Sequence, residues 1–224
     1  MVLQPHQRSK LDPTNDQRFY EVPRFVTHVD DGFIEQLTRL YGQYLQPNSH
    51  ILDLMSSWVS HLPSDLEFAR VVGQGLNAEE LAKNPRLDEY FVQDLNQDLV
   101  LPFQDQSFDA VLMAVSVQYL QYPEAIFREI HRLLKPQAVV IISFSNRMFY
   151  QKAIQAWREG TEAERVTLVE SYLKSVPGFS APETIVNPMI RSAPLLPWLG
   201  WGSGDPFYAI AARRVTETPG TNAE

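Results

Sequence analysis

Apolar residues along the chain alternate between helical spacing and short continuous runs. Between residues 31 and 45 they recur every three or four positions, from Phe33 to Tyr44, which predicts a helix that ends before Pro47. Short apolar or β-branched runs, each bounded by turn residues, predict strands over residues 51–54, 69–73, 90–94, 108–115 and 138–144. The run over 108–115 is continuously apolar, which is typical of a strand covered on both faces.

Helices are predicted between these strands. Asn77 is a suitable N-cap for one helix, and Pro123 opens another that carries an apolar stripe at helical spacing. This order of elements predicts an α/β sandwich around a parallel sheet, whose ligands bind beyond the carboxyl ends of the strands. Further helical patterns and then two closing strands lie over residues 148–157, 163–174, 184–186 and 207–212.

The two ends of the sequence are polar. Residues 1–18 contain prolines and charged side chains, and we expect them to form a flexible N-terminal lead-in. Residues 216–224 have the same character, which predicts a disordered tail. A single domain over residues 19–215 is therefore expected. Within it, one long loop is predicted from a group of prolines and tryptophans, namely Pro188, Pro194, Pro197, Trp198 and Trp201.

Composition narrows the classes of function. The 224 residues are 44% hydrophobic and 21% charged, as in an ordinary globular domain that folds without disulfides. Cysteine is absent, which excludes thiol catalysis and thiolate zinc sites and fits a cytoplasmic location. Five scattered histidines indicate no metal site. The net charge of −8 argues against nucleic acid and anionic membranes as partners, and no run approaches the ~20 apolar residues of a membrane span.

One stretch resembles a known family. Residues 101–146 read LPFQDQSFDAVLMAVSVQYLQYPEAIFREIHRLLKPQAVVIISFSN. This string resembles the class I S-adenosylmethionine-dependent methyltransferases, in the branch that mostly methylates small molecules, and the likeness extends over about residues 30–213. It implies a three-layer Rossmann-like sandwich with a mostly parallel seven-stranded sheet and a C-terminal antiparallel hairpin. It also implies S-adenosyl-L-methionine as the cofactor and a small or medium-sized acceptor.

The resemblance divides the expected domain into three parts. A helical cap covers about residues 24–46, the core spans 50–146, and the C-terminal helices, loop and hairpin span 147–215. We expect residues 24–44 and the loop over 175–205 to cap the pocket and to choose the acceptor. The oligomeric state is left open.

The resemblance also implies where the cofactor binds. In the family, a glycine-rich turn after the first strand approaches the methionyl end of the cofactor. A carboxylate after the second strand binds the ribose, an Asp after the third binds the adenine amino group, and the segment after the fourth faces the sulfonium. We therefore predict cofactor contacts from Asp53, Ser56, Ser57, Gly73, Asn77, Asp94, Leu95 and Ser116.

The turn after the first strand departs from the family pattern. Asp53 is present, but residues 55–59 replace the glycines with Met-Ser-Ser-Trp-Val. The Met55 side chain therefore projects where the family's backbone touches ligand, while Ser56 and Ser57 can supply hydroxyl donors in exchange.

A second departure lies after the second predicted strand. The family's ribose carboxylate aligns with Gly75. Hydrogen bonds to a charged group contribute roughly 1.5–3 kcal/mol, so this loss weakens cofactor binding. Asn77 or Gln74 can recover part of it, and Asp94 keeps its family position.

Three residues are candidates for catalysis. His28 and His61 are candidates for a general base, and the resemblance implies that Tyr119 faces the substrate. A base is needed only when the acceptor must lose a proton, because the sulfonium methyl is already activated. Four other residues that resemble functional ones are explained by packing or structural contacts instead, namely His50, Asp109, His131 and Trp157.

Two functions from different classes follow. The first is a class I methyltransferase. The second is a catalytically inactive methyltransferase-fold protein that binds a ligand or a partner, motivated by Met55 and Gly75. A nicotinamide oxidoreductase shares the alternating pattern, but the glycine fingerprint after the first strand is missing.

Overall fold

The computed structural model describes residues 2–187 and 204–215. The prolines and tryptophans predicted to form a long loop, from Pro188 to Trp201, and the tail over 216–224 lie outside the described residues. Within the described ranges, no helix combines the length and the apolar character needed to cross a membrane.

Among residues 2–187 and 204–215, seven strands form one sheet in the order β3-β2-β1-β4-β5-β7-β6. The first five are parallel, and β7 runs antiparallel to both of its neighbours, with Ile210 opposite Thr184 in the closing hairpin. The predicted fold class is therefore confirmed. The strands are β1 His50–Leu54, β2 Arg70–Gly75, β3 Glu89–Val92, β4 Phe108–Ala114, β5 Leu134–Phe144, β6 Glu183–Asn187 and β7 Phe207–Arg213.

In the described ranges, six α-helices accompany the sheet. Most follow the predicted pattern, but the helix expected over 148–157 begins only at Gln155. Before it the chain makes a single turn, and the N–H of Ile154 donates to Gln118 O (3.0 Å) on another segment. A tertiary contact thus overrides the local helical spacing. The helices are α1 Asp16–Phe19, α2 Asp31–Tyr44, α3 Ala78–Lys83, α4 Pro123–Leu133, α5 Gln155–Glu159 and α6 Glu162–Lys174.

The sheet separates two hydrophobic layers, because successive side chains of a strand point to opposite faces. Ile51 of β1 belongs to the layer that contains α2, whereas Leu52 belongs to the layer that contains α4 and α6. The α2 helix contributes Phe33, Leu37 and Tyr41, and its start is capped by Asp30. A helix that precedes β1 in the chain therefore covers this face.

The connection between β1 and β2 has no helix of its own. Residues 55–69 run as turns and extended segments, and they add Leu62 to the α2 layer. Because α2 already covers the sheet there, this connection is free to form the wall of a site at the carboxyl end of β1.

The N-terminal segment differs from the flexible lead-in expected over residues 1–18. Leu3 is fully buried in the core, and Arg8 pairs with Glu124 of α4 at 2.7 Å. Lys152, also fully buried, lies 3.0 Å from Asp12 and 3.3 Å from Asp16. The charged side chains of this segment pair with charged side chains of the domain. These pairs hold the segment in place.

The Glu124 carboxylate links stability to pH through this segment. It accepts the N–H groups of Val2 and Leu3 at 2.8 and 3.2 Å, besides Arg8. Burial disfavours its ionisation, but the hydrogen bonds from Arg8 and the backbone outweigh burial and lower its pKa to about 2. A lowered carboxylate pKa stabilises the fold above the unfolded pKa and loses that effect as the pH falls.

We expect Glu124→Gln to lower the free energy of unfolding by about 1–2 kcal/mol at neutral pH, after allowance for solvent screening. The difference from the wild type should shrink as the pH falls below about 4.5, where an unfolded glutamate becomes protonated. Urea denaturation at several pH values measures this, with the exposed Glu67→Gln as the matched control. An equal effect of the two substitutions would contradict the assigned role of Glu124.

Candidate functional site

A pocket of about 340 Å³ lies at the carboxyl ends of β1, β2, β3 and β4. This is where ligands bind in open α/β sheets, and the volume falls within the range of small-molecule sites. Residues after each of the four strands form its floor. Its roof consists of Met148, Phe149 and parts of the N-terminal segment between Asp16 and Val29.

The structure brings most of the predicted cofactor residues to this pocket. Gly73 is the exception, because it does not line the pocket: a Cβ there would lie 2.3 Å from Leu87 Cδ1. Because Gly73 has no side chain, the segment that follows α3 packs closely on β2. The others all line the pocket, namely Asp53, Ser56, Ser57, Asn77, Asp94, Leu95 and Ser116. The catalytic candidates His28, His61 and Tyr119 line it as well.

The turn after β1 keeps a glycine-like backbone although its glycines are replaced. Met55 has a φ of 55°, in the left-handed region that favours glycine. Its N–H donates to Gln74 Oε1 (2.9 Å), and the N–H of Ser56 donates to Gln74 O (2.6 Å). Gln74 is buried and also donates through Nε2 to Gln93 O (2.6 Å). One amide side chain therefore fixes the ends of β1, β2 and β3 relative to one another.

The Met55 side chain does not close the pocket. It is half-buried and packs against the hydrophobic layer that contains Leu54 and Met113. The pocket remains beside it. The bulk that replaces the first glycine thus packs partly on the core and partly lines the pocket.

The serine hydroxyls of this turn bind protein carboxylates. Ser56 Oγ donates to Asp53 Oδ2 (2.6 Å), and Ser57 Oγ donates to Glu80 Oε2 (2.5 Å). Burial raises the pKa of Asp53 to about 6, although hydrogen bonds with Ser56 and Ser60 oppose the increase. We predicted that Ser56 and Ser57 would offer free hydroxyl donors in place of the glycine amides. Both hydroxyls are instead bound to carboxylates of the protein.

Gly75 has no room for a side chain. A Cβ on Gly75 would lie 2.4 Å from the carbonyl oxygen of Ser56. The family position of the ribose carboxylate is thus occupied by the rebuilt turn. Another carboxylate, Glu80 in the first turn of α3, is buried and lines the pocket close by.

Asn77 is committed to structure. Its Oδ1 accepts the N–H groups of Glu79 and Glu80 at 2.9 and 3.0 Å, as the N-cap of α3. Its Nδ2 donates to Tyr20 O (2.8 Å) and so holds the N-terminal segment over the pocket. The predicted capping role is present, while the amide has few donors left for a ribose.

Asp94 and Ser116 each carry a polar atom in the pocket that lacks a partner within the described structure. Asp94 Oδ1 accepts the N–H of Asn96 (2.9 Å), but Asp94 Oδ2 is buried without a hydrogen bond. Burial raises the pKa of Asp94. The Ser116 hydroxyl is buried without a partner as well. Buried polar groups are normally satisfied, so these two atoms fit a ligand that offers a donor to Asp94.

Backbone strain collects around the pocket. Met55, His61 and Val115 have φ values of 55°, 53° and 50°, and all three line it. Val115 is β-branched, for which this conformation is costly. It is held there because its N–H donates to Ser143 O (2.7 Å) and its carbonyl accepts Gln118 Nε2 (2.9 Å). Strain of this kind is typical of functional sites.

The three catalytic candidates differ in protonation. Burial lowers the pKa of both His28 and His61, which keeps their imidazoles neutral and able to accept a proton. Burial raises the pKa of Tyr119, whose hydroxyl oxygen accepts the N–H of Phe149 at 2.8 Å. Tyr119 therefore positions the roof, and the two histidines are the better bases.

The residues given structural explanations have packing or pairing contacts. Asp109 binds Lys135 at 2.8 Å and the N–H of His50 at 2.9 Å. Trp157 is fully buried, edge-on to Phe144. In the part of the chain that the structure describes, no three His, Asp or Glu side chains converge as metal ligands would.

Comparison with known families and structures now adds to this geometry. Residues 58–142 match the family model of a methyltransferase domain. No curated protein sequence matches the chain significantly.

Many solved structures share the fold. A putative methyltransferase from Haloferax volcanii, bound to the Trm112 methyltransferase activator, is 13% identical and covers 90% of this chain and 94% of its own, with a TM-score of 0.60. A possible histamine N-methyltransferase from Thermotoga maritima, S-adenosylmethionine-dependent, is 18% identical over 89% and 94%, with a TM-score of 0.55. The [4+2]-cyclase SpnF is 15% identical and covers 81% of this chain and 82% of its own, with a TM-score of 0.55. These structures show the shared fold. The resemblance to methyltransferases is confirmed by the match of residues 58–142 to a methyltransferase domain, and this match supports S-adenosylmethionine as the cofactor.

Asp53 makes stability depend on pH in the sense opposite to Glu124. Its folded pKa of about 6 lies above the unfolded value, so the folded state loses stability as the pH rises between the two. Relative to an Asp53→Asn variant, we expect the free energy of unfolding of the wild type to fall by about 2 kcal/mol between roughly pH 4 and pH 7. Urea denaturation across that interval measures the change. A constant difference would show that the buried carboxylate ionises normally.

Proposed function

We propose that this protein is an S-adenosylmethionine-dependent methyltransferase that acts on a small or medium-sized acceptor. The observation that carries the proposal is the pocket at the carboxyl ends of β1 to β4, in which Asp94 Oδ2 is buried without a partner. The match of residues 58–142 to a methyltransferase domain supports it.

The pocket offers matching groups for an adenosyl ligand. Asp94 Oδ2 would accept a hydrogen bond from the adenine amino group. Glu80 is the carboxylate available for the ribose hydroxyls, since Gly75 has no space for one. Its two oxygens each accept one hydrogen bond at present, from Arg24 N (2.6 Å) and Ser57 Oγ (2.5 Å). A carboxylate accepts about four, so Glu80 retains capacity for a diol.

The protein's part in methyl transfer is mainly positioning. The cofactor supplies an activated methyl group, and in-line alignment of an acceptor contributes ~7–11 kcal/mol towards the barrier. Phe149, Tyr20 and the segment that contains Val26 line the pocket on the side of the roof. His28, edge-on to Phe149 with ring centroids 5.2 Å apart, is the residue we assign to remove a proton when the acceptor carries one.

A methyltransferase fold without methyl transfer is the second candidate. Specific observations favour it: the helix after β1 is missing, Ser56 and Ser57 bind protein carboxylates, and Gly75 is blocked. The fold itself does not decide, since the cyclase SpnF shares it. In this alternative the pocket holds a ligand or a partner and no methyl group leaves.

The setting of the proposed reaction follows from composition. The net charge of −8 disfavours polyanions as acceptors, which leaves a small molecule as the proposed partner, without nucleic acid or membrane. The absence of cysteine fits the cytoplasm as the proposed location.

Calorimetric titration with S-adenosylmethionine tests the proposal. We expect micromolar binding by the wild type and an affinity about 5- to 100-fold lower for Asp94→Ala, because a charged hydrogen-bond acceptor is lost. Asp98→Asn, on the exposed side of the same turn, serves as the control and should bind like the wild type.

Two outcomes would count against it. Binding that stays absent up to millimolar ligand would favour the second candidate. Unchanged affinity in a folded Asp94→Ala variant would place the adenine elsewhere in the pocket.

A further inference from the structure

Arg24 carries a buried donor without a partner. Its guanidinium lines the pocket, and Nη2 donates to Phe19 O (2.9 Å). Nη1 is buried without a hydrogen bond, and no Asp or Glu of the described residues lies within ion-pair distance of the guanidinium. An unsatisfied charged donor inside a protein is costly, so this atom points to a group that joins it from outside the chain.

The other cations around the pocket are neutralised within the chain. Arg147 Nε binds Asp205 Oδ1 at 2.7 Å. Lys10 and Lys152 both pair with Asp16, one of the pocket residues. Arg24 is thus the pocket cation that the described structure leaves uncompensated.

Aromatic rings hold the guanidinium in place. Its central carbon lies 4.6 Å from the ring centroid of Phe19 and 5.4 Å from those of Tyr20 and Phe149. The backbone N–H of Arg24 is fixed by Glu80 Oε1. The rings pack on the faces of the cation, but they leave Nη1 without an acceptor, and a low local dielectric strengthens any ion pair made at that atom.

We propose that Arg24 is the receptor for a carboxylate inside this pocket. The inference rests on the proposed function and deepens it. A planar carboxylate matches the guanidinium edge, with one oxygen on Nη1. Such a group has two sources: the amino-acid part of the cofactor, or the acceptor itself. The cofactor's carboxylate is a reasonable partner because the turn after β1 has lost the glycines and the helix that bind it in the family. The acceptor's carboxylate is a reasonable partner because Arg24 belongs to the roof segment, where we expect the acceptor to be chosen.

The first arm of the test asks about the cofactor. S-adenosylhomocysteine and S-adenosyl-3-thiopropylamine differ only by the carboxylate, and their affinities are compared by calorimetry. If the cofactor's carboxylate binds Arg24, the preference for S-adenosylhomocysteine falls by about 10- to 100-fold in Arg24→Gln and by less in Arg24→Lys. Because both ligands are measured on each variant, a general loosening of the roof cancels in the ratio.

The second arm asks about the acceptor. Benzoate and its neutral counterpart benzamide are titrated into the protein with and without S-adenosylhomocysteine. If the acceptor's carboxylate binds Arg24, the wild type prefers benzoate and Arg24→Gln abolishes the preference. Arg18→Gln, an exposed arginine of the same segment, should leave both arms unchanged.

Retention of both preferences in Arg24→Gln, or their absence from the wild type, overturns the proposal and leaves Arg24 as a packing residue. Should Arg24→Gln fail to fold, the decision rests on Arg24→Lys, for which unchanged ratios in both arms overturn the proposal. If the wild type binds neither adenosyl compound, the proposed function fails, while benzoate against benzamide still decides the role of Arg24.

Discussion

The pocket depends on the hydrogen bonds of one buried amide. Gln74 receives the N–H of Met55, donates to Gln93 O, and through its own backbone carbonyl accepts the N–H of Ser56. These bonds join the ends of three neighbouring strands. They also place the carbonyl of Ser56 against Gly75, which closes one position to side chains and leaves Glu80 as the nearby pocket carboxylate. A buried amide that is fully satisfied tolerates few substitutes, because each lost bond leaves a polar group without a partner.

Much of the fold follows from local pattern. Continuous apolar runs such as the one in β4 and the helical stripe of α2 are each determined by residues close in sequence, so periodicity is enough to identify them. The prediction of the antiparallel hairpin of β6 and β7 rested on the family resemblance together with two β-rich runs. The helical spacing before α5 does not produce a helix, because the N–H of Ile154 donates to Gln118 O on another segment instead.

The site was harder to predict than the fold, since its key residues act through distant partners. Arg24 and Glu80 lie far apart in sequence and are joined by a single backbone hydrogen bond. Nothing in their local sequence distinguishes them from surface charges. The same holds for residues 2–19, whose polar composition suggests flexibility until their charges are seen to pair with Glu124 and Lys152. The loss of glycines was visible in the sequence, but not that Met55 keeps the left-handed backbone.

The way in which the roof is attached has a consequence for stability. Tyr20 and Arg24 are tied to α3 because Asn77 Nδ2 donates to Tyr20 O (2.8 Å) and the N–H of Arg24 donates to Glu80 Oε1 (2.6 Å). Both residues line the pocket. A ligand that contacts the N-terminal segment and the strand ends together therefore favours the state in which these ties are formed, and it protects the segment against local unfolding.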